Sequence, residues 1–338
     1  MNDYLWDRNG GDAEIERIED SLARYRYIER PFVLRHPMAV VTKHARLPLY
    51  MSPAIAALLV IAIGLLIWSM MPGKAALTFV ALEGAPRIDN IAVASAKLYV
   101  GSRIETGNSD RARIQLRGIG WVQIEPGSVL TLIEAGAERQ RFRLERGELR
   151  AQVNAPPAVF IVETPAARAI DLGCAYRLRF IPGGESMIEV TDGWVEIDHG
   201  FEQTLVPAGA MAWFTVDRIS PAYMNQTSPD FRDAMLQWWR AQDEPTRRTA
   251  LARALSRATR SDAFTLLNML RRSRPEERPA IYDRLARFIP APPEVSRSAV
   301  LAAEKNAEEA WWPVIERELG LGTIKKKGPL RVDPYWPN

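Results

Sequence analysis

The chain has 338 residues, 47% of them hydrophobic and 25% charged, with a formal net charge of +3. That length accommodates two or three units with cores of their own, the composition is that of an ordinary globular protein, and so small a charge gives no global field for nucleic acid. One cysteine, Cys174, excludes an intramolecular disulfide, and the scattered His36, His44 and His199 give no Cys/His zinc pattern.

The first predicted element is an amphipathic helix. After Gly10-Gly11, with Asp12 as N-cap, Ile15, Ile18, Leu22 and Tyr25 fall at spacings of three, four and three, which places them on one helix face. Glu14, Glu16 and Glu19 come early, where the helix dipole favours them. A helix this short has no core of its own, so its stripe needs a protein, a membrane surface or a second copy. A partly ordered tail is the other reading of this segment.

Next comes the strongest single signal. Residues 47–73 carry no charge, and 54–71 are almost wholly apolar. About 20 such residues at 1.5 Å rise cover a hydrocarbon core of roughly 30 Å. Tyr50 and Trp68 stand near the ends, where amphipathic rings favour the interface. A signal peptide would begin near the first residue and be shorter. A single transmembrane helix over 47–72 is therefore expected. Arg30, Arg35, Lys43 and Arg46 precede it without an acid, whereas Lys74 and Arg87 after it are offset by Glu83 and Asp89. The positive-inside rule leaves residues 1–46 in the cytoplasm and exports the rest.

From residue 75 the apolar period changes from 3.6 to 2. RARIQLRG, GWVQIEPGSVLTLIE, RFRLERGELRAQV, VFIVETP, YRLRFI and MIEVTDGWVEI alternate, with Gly or Pro-Gly breaks between them. The pattern predicts an all-β roll or sandwich domain over 75–217. A polar linker over 218–228 follows, then an all-α bundle over 229–319 and an extended tail over 320–338 that includes Lys325–Lys327. Ser228, Ser261 and Ser273 sit where helix caps belong, and Leu251, Leu255, Phe264, Leu267, Leu270, Ile281, Leu285 and Phe288 recur at helical spacing. A last helix is expected over 296–319. From 229 to 297 this part holds fourteen arginines against nine acids, a solvated helix surface or a face for anionic glycan or lipid. As a whole the fold class is a multi-domain membrane protein.

Six segments in order, VGSRIETG (100–107), RARIQLRG (111–118), EPGSVLTL (125–132), LERGELRAQV (144–153), VETPAARAIDLGCAYRL (162–178) and VTDGWVEI (190–197), resemble the extracytoplasmic domain of the FecR family, membrane-bound regulators of extracytoplasmic-function sigma factors. The matching positions are Gly101, Gly107, Gly127, Gly147, Thr164, Pro165, Gly173, Tyr176 and Gly193. The resemblance implies a β domain that senses a state of the envelope and a cytoplasmic segment that binds a sigma factor. It would make Ile15, Ile18, Leu22 and Tyr25 the partner-facing stripe, with Tyr4 and Trp6 as aromatic anchors. The segment departs from the family in being shorter, with Trp6 its only tryptophan. It also lacks the His-x-x-x-Cys-x-x-Cys motif of another anti-sigma class.

Catalytic patterns are missing. There is no Walker loop, Rossmann fingerprint or Gly-x-Ser-x-Gly; the GESMI around Ser186 lacks its closing glycine. His199 has no carboxylate or hydroxyl in a triad pattern, while Asp171 and Glu189 fall on predicted strands and are a candidate carboxylate pair of the kind many β proteins could supply. Cys174 is expected inside the core of a strand rather than as a nucleophile. The expectation is a non-enzyme without cofactor, metal or nucleic acid, integral to the bacterial inner membrane and bulk-periplasmic, with a sigma factor or envelope protein as partner. An envelope scaffold engaging peptidoglycan, polysaccharide or another membrane protein is the alternative.

Overall fold

The computed structural model describes residues 77–322 apart from Phe201 and Lys305. The N-terminal helix, the 47–72 span, the residues Tyr4, Trp6, Ile15, Ile18, Leu22 and Tyr25 and most of the 320–338 tail lie outside them. No helix among the described residues is long and apolar enough to cross a membrane.

The alternating stretches form strands β1 (Leu77–Glu83), β2 (Arg87–Ile88), β3 (Ile91–Ala92), β4 (Ser95–Leu98), β5 (Arg103–Glu105), β6 (Arg111–Gln115), β7 (Gly120–Ile124) and β8 (Val129–Ala135). The long β9 (Gln140–Val153) leads to β10 (Phe160–Glu163), β11 (Arg168–Asp171), β12 (Ala175–Phe180), β13 (Ser186–Asp192), β14 (Trp194–Asp198), β15 (Gln203–Pro207), β16 (Ala210–Phe214) and β17 (Tyr223–Met224).

Their pairings give two sheets that share β9. One runs β4-β1-β6-β7-β9-β12-β13-β16-β17 through the second half of β9. The other runs β3-β2-β5-β8-β9-β10-β11-β14-β15 through its first half. All pairs are antiparallel except β9–β10. Alternate residues such as Phe79, Ile114, Val122, Phe142, Leu149, Phe160, Leu178 and Ile188 are fully buried and belong to one contiguous core. That alternation is what a strand with one buried face requires.

β9 changes sheets at Gly147. Its backbone is left-handed there (φ 93°), and a Cβ would fall 2.4 Å from the Ser128 Cα. Only glycine fits that close crossing.

The chain then forms helices α1 (Pro229–Arg240), α2 (Glu244–Arg257), α3 (Ala263–Arg272), α4 (Arg278–Phe288), α5 (Arg297–Leu301) and α6 (Trp312–Leu319). Ser228 caps α1, accepting the Phe231 N–H at 3.3 Å. Ser261 and Ser273 are not N-caps. Thr259 and Asp262 form the capping box before α3, and Ser273 is at its C-terminal end.

Three boundaries differ from the sequence reading. Residues 218–228 do not form a free linker, because Ile219, Ala222, Tyr223 and Met224 are buried and β17 extends the first sheet. Within PAARAIDLG, Arg168–Asp171 is itself a strand, so three strands rather than two cover 160–180. The single helix expected over 296–319 is broken by left-handed Ala303 (φ 59°) and Asn306 (φ 64°) into α5, a 3₁₀ turn and α6.

The helices and sheets share one core. Trp312 of α6 lies edge-on to both Trp194 of β14 and Phe264 of α3, each at 5.8 Å between centroids. Arg272 of α3 pairs with Glu202 at 2.5 Å and bonds to Thr204 of β15. Arg240 of α1 forms a two-pronged pair with Glu185 at 2.7 Å.

Candidate functional site

The outer face of the first sheet holds a ladder of charged side chains set by strand register. Gln123 of β7 stands opposite Arg150 of β9, Arg150 opposite Arg177 of β12, and Arg177 opposite Glu189 of β13. One row along, Glu148 stands opposite Arg179. Like charges directly opposite each other repel, and each arginine therefore turns to a carboxylate. Arg150 reaches Glu125 at 3.0 Å, Arg177 reaches Glu189 at 2.6 Å and Arg179 reaches Glu148 at 2.7 Å. Arg111 bridges Glu125 and Glu83, and these two carboxylates hold its guanidinium above the usual range.

Two hollows open onto this face. One, of about 440 Å³, is bounded by Trp121, Arg150, Gln152, Arg177, Glu189 and Thr191. The other, of about 460 Å³, lies by Glu125, Gly127, Glu148, Arg179 and Ile181. The Arg113 guanidinium lies 4.5 Å over the Trp121 ring and donates to Gln123 at 3.0 Å. Together these groups offer donors, acceptors and one aromatic face, which suits recognition of a polar partner. Among the described residues no group of three or more His, Cys, Asp or Glu is placed to hold a metal ion.

Beneath the turns lies a buried polar cluster. Asp171, fully buried at the end of β11, accepts the Gly173 N–H at 2.7 Å and the Cys174 thiol at 2.5 Å. Burial pushes the Asp171 carboxyl up to about 7, outweighing those hydrogen bonds, which lower it. Burial first, and then the Asp171 charge, push the Cys174 thiol up, so no reactive thiolate forms. Cys174 sits in the core as a small side chain, 2% exposed. Asp171 and Glu189 do not pair: one is inside, and the other is on the ladder. His199 is buried, its Nε2 3.1 Å from the Thr215 carbonyl.

The nine motif positions are distributed over turns instead of forming one pocket. Gly127 donates to the Gly107 carbonyl at 3.0 Å, and Gly147 crosses Ser128 beside them. At the opposite end Gly173 and Gly193 meet. A Cβ on Gly193, left-handed at φ 69°, would lie 2.0 Å from the Gly173 carbonyl oxygen, with Tyr176 buried just beyond. Thr164 accepts the Ala166 and Ala167 N–H groups and closes the turn with Pro165, while Gly101 lies in the turn before β5. These residues fix where strands reverse and cross.

Residues 102–196, from β5 to β14, match the FecR protein family. They are a FecR domain. No curated protein matches the chain. Two crystal structures of a candidate anti-sigma factor from Parabacteroides distasonis are partly similar, each with a TM-score of 0.33 and 19% identity, over 40% of this chain. The chain spans 64% of the length of those proteins. The motif glycines from Gly107 to Gly193 all fall within the FecR domain, whereas Gly101 lies just before it and α1–α6 lie after it.

The ladder residues Trp121, Arg150, Arg177 and Arg179 escape sequence reasoning. Alternation marks them as outward-facing, but only register shows that they converge.

Proposed function

We propose that this chain is a single-pass regulator of the bacterial inner membrane. Its FecR domain lies outside the cytoplasm and receives an envelope signal, and residues 1–46 bind a cytoplasmic partner, a sigma factor. The observation that carries this reading is the FecR domain at 102–196 following the uncharged stretch at 47–73. The charge asymmetry around that stretch supports the orientation.

The ladder on the first sheet, with Trp121 and its two hollows, is the surface that receives the signal. Its side chains are polar, mutually paired and partly exposed, so a partner can exchange its own charges for theirs at little cost. Regulation requires the partner to bind two states of the chain differently. One span is a poor lever for conformation, so clustering, altered proximity or proteolysis of the β domain transmits the state.

The test is co-purification from cells. The intact chain brings down a sigma factor, and Ile18→Ala with Leu22→Ala abolishes it. An unchanged pull-down would sink the proposal. Recovery of only glycan-assembly or export proteins would favour the scaffold alternative instead.

A further inference from the structure

The hollow beside Trp121 is made by one small residue. Along one register row of the first sheet, Gln115 of β6 stands opposite Trp121 of β7, Trp121 opposite Gln152 of β9, and Gln152 opposite Ala175 of β12. Tyr176, Leu178 and Phe180 are buried in the core, so Ala175, like Arg177 and Arg179, points outward. A methyl group thus stands in a row of long side chains, and the missing volume is the hollow of about 440 Å³. Trp121 walls it on one side. The Arg113 guanidinium covers that ring from the direction of β6, which leaves the side over β9 and β12 to the hollow.

The second hollow lies on the same two strands. The first is over the Ala151–Tyr176 pair and the second over the Gly147–Phe180 pair. That shift of four residues along both strands is about 13 Å at the usual strand rise. Both volumes fall in the range of roughly 300–1,000 Å³ that holds small ligands.

Charge then selects the ligand. Each arginine here already holds a carboxylate: Arg150 that of Glu125, Arg177 that of Glu189, and Arg179 that of Glu148. Glu189 also accepts from Asn225 at 3.1 Å. An anionic ligand gains a guanidinium only by displacing one of these carboxylates, and a cationic one meets the arginines. An apolar peptide would cover both signs without pairing either, at a cost. A hydroxyl group does none of this. It accepts from the N–H groups that an arginine has left over and donates to the lone pairs that a carboxylate has left over, so the existing pairs stay intact. A sugar ring also has an apolar C–H face, and the flat indole of Trp121 is the surface on which such a face packs. Two hollows in line on one strand pair suit a linear chain of such rings.

We propose that the first sheet binds an uncharged linear glycan along β9 and β12. One ring lies over Ala175 against Trp121, with its hydroxyls between Arg150, Arg177 and Glu189, and the chain continues to Glu148 and Arg179. This deepens the reading of the ladder as the surface that receives the envelope signal, and rests on that reading for the glycan's role.

The full chain in phospholipid nanodiscs is titrated calorimetrically with uncharged linear hexasaccharides of glucose, mannose, galactose, xylose and N-acetylglucosamine. At least one binds, and the disaccharide of the same sugar binds several-fold more weakly because it reaches one hollow only. Ala175→Arg fills the hollow and Trp121→Ala removes its wall. Each weakens binding on the order of ten-fold or more, whereas Ala175→Ser, which leaves the hollow open, retains it. Binding by the N-acetylglucosamine chain, as in the cell wall, or by the others, as in secreted polysaccharide, supports the proposal and tells the two sources apart. No binding of any of these sugars at millimolar concentration overturns it. So does undiminished binding by Ala175→Arg, or tighter binding of an oligogalacturonate than of every uncharged chain. The two readings fail separately: a chain that brings down a sigma factor but binds no sugar refutes the glycan alone, and one that binds sugar but brings down no sigma factor refutes the regulator alone.

Discussion

Asp171 is the residue whose chemistry the fold changes most. In the unfolded chain its carboxyl titrates near 4, and in the folded protein burial carries it to about 7. A folded pKa above the unfolded one means that the native state holds the proton more tightly. The stability this contributes is complete below about pH 4 and is lost as pH rises to about 7. Glu277 has the opposite sign. Burial pushes its carboxyl up, but hydrogen bonds from Arg247, the Arg274 N–H and Trp238 outweigh that and leave it lowered. Its contribution is present above the usual glutamate range and lost on acidification. Asp171→Asn removes only the first effect. Relative to the parent, the variant gains on the order of 2–4 kcal/mol between pH 4.5 and 7.5. Denaturant titrations at the two pH values check this, and parallel pH profiles for the two proteins would show that Asp171 does not titrate in that window. Cys174 supplies a simpler check, since a thiol reagent should label it only after unfolding.

Among the elements, β9 carries the architecture, being the one strand among the described residues that belongs to both sheets. Gly147→Ala forces a left-handed alanine into the Ser128 backbone and is expected to cost on the order of 1–3 kcal/mol, with more if the crossing must open. Thermal unfolding of the variant measures this, and an unchanged midpoint would mean that the crossing is loose. Most strands were legible because half-buried strands alternate and the breaks between them hold Gly or Pro. β11 was not, since Arg168–Asp171 is nearly all buried and shows no alternation. The breaks at Ala303 and Asn306 were hidden for another reason: neither residue announces a left-handed backbone as glycine does. The charge ladder was illegible in principle, because cross-strand neighbours depend on register and no single strand contains it. The two carboxylates Asp171 and Glu189 illustrate the point, as similar strand positions led to opposite faces.

At the scale of the molecule, the helices and the FecR domain share one hydrophobic core instead of being separated by a linker. Trp194, Trp312 and Phe264 join them, and the Arg272–Glu202 pair fixes the orientation. Unfolding of 77–322 is therefore expected as one transition, and Trp312→Ala should lower the stability of both parts together by about 2–3 kcal/mol. Calorimetry with two resolved transitions would contradict this. In the proposed orientation, a rigid body of this kind is suited to passing on its position or its survival more than an internal change of shape. Regulation by such a body then depends on what the first 46 residues touch. A photo-reactive amino acid at Leu22, cross-linked in living cells, tests this most directly. The predicted adduct is a sigma factor, lost when Ile18 is alanine; an adduct with envelope proteins alone, or one unchanged by that substitution, would contradict the regulator reading.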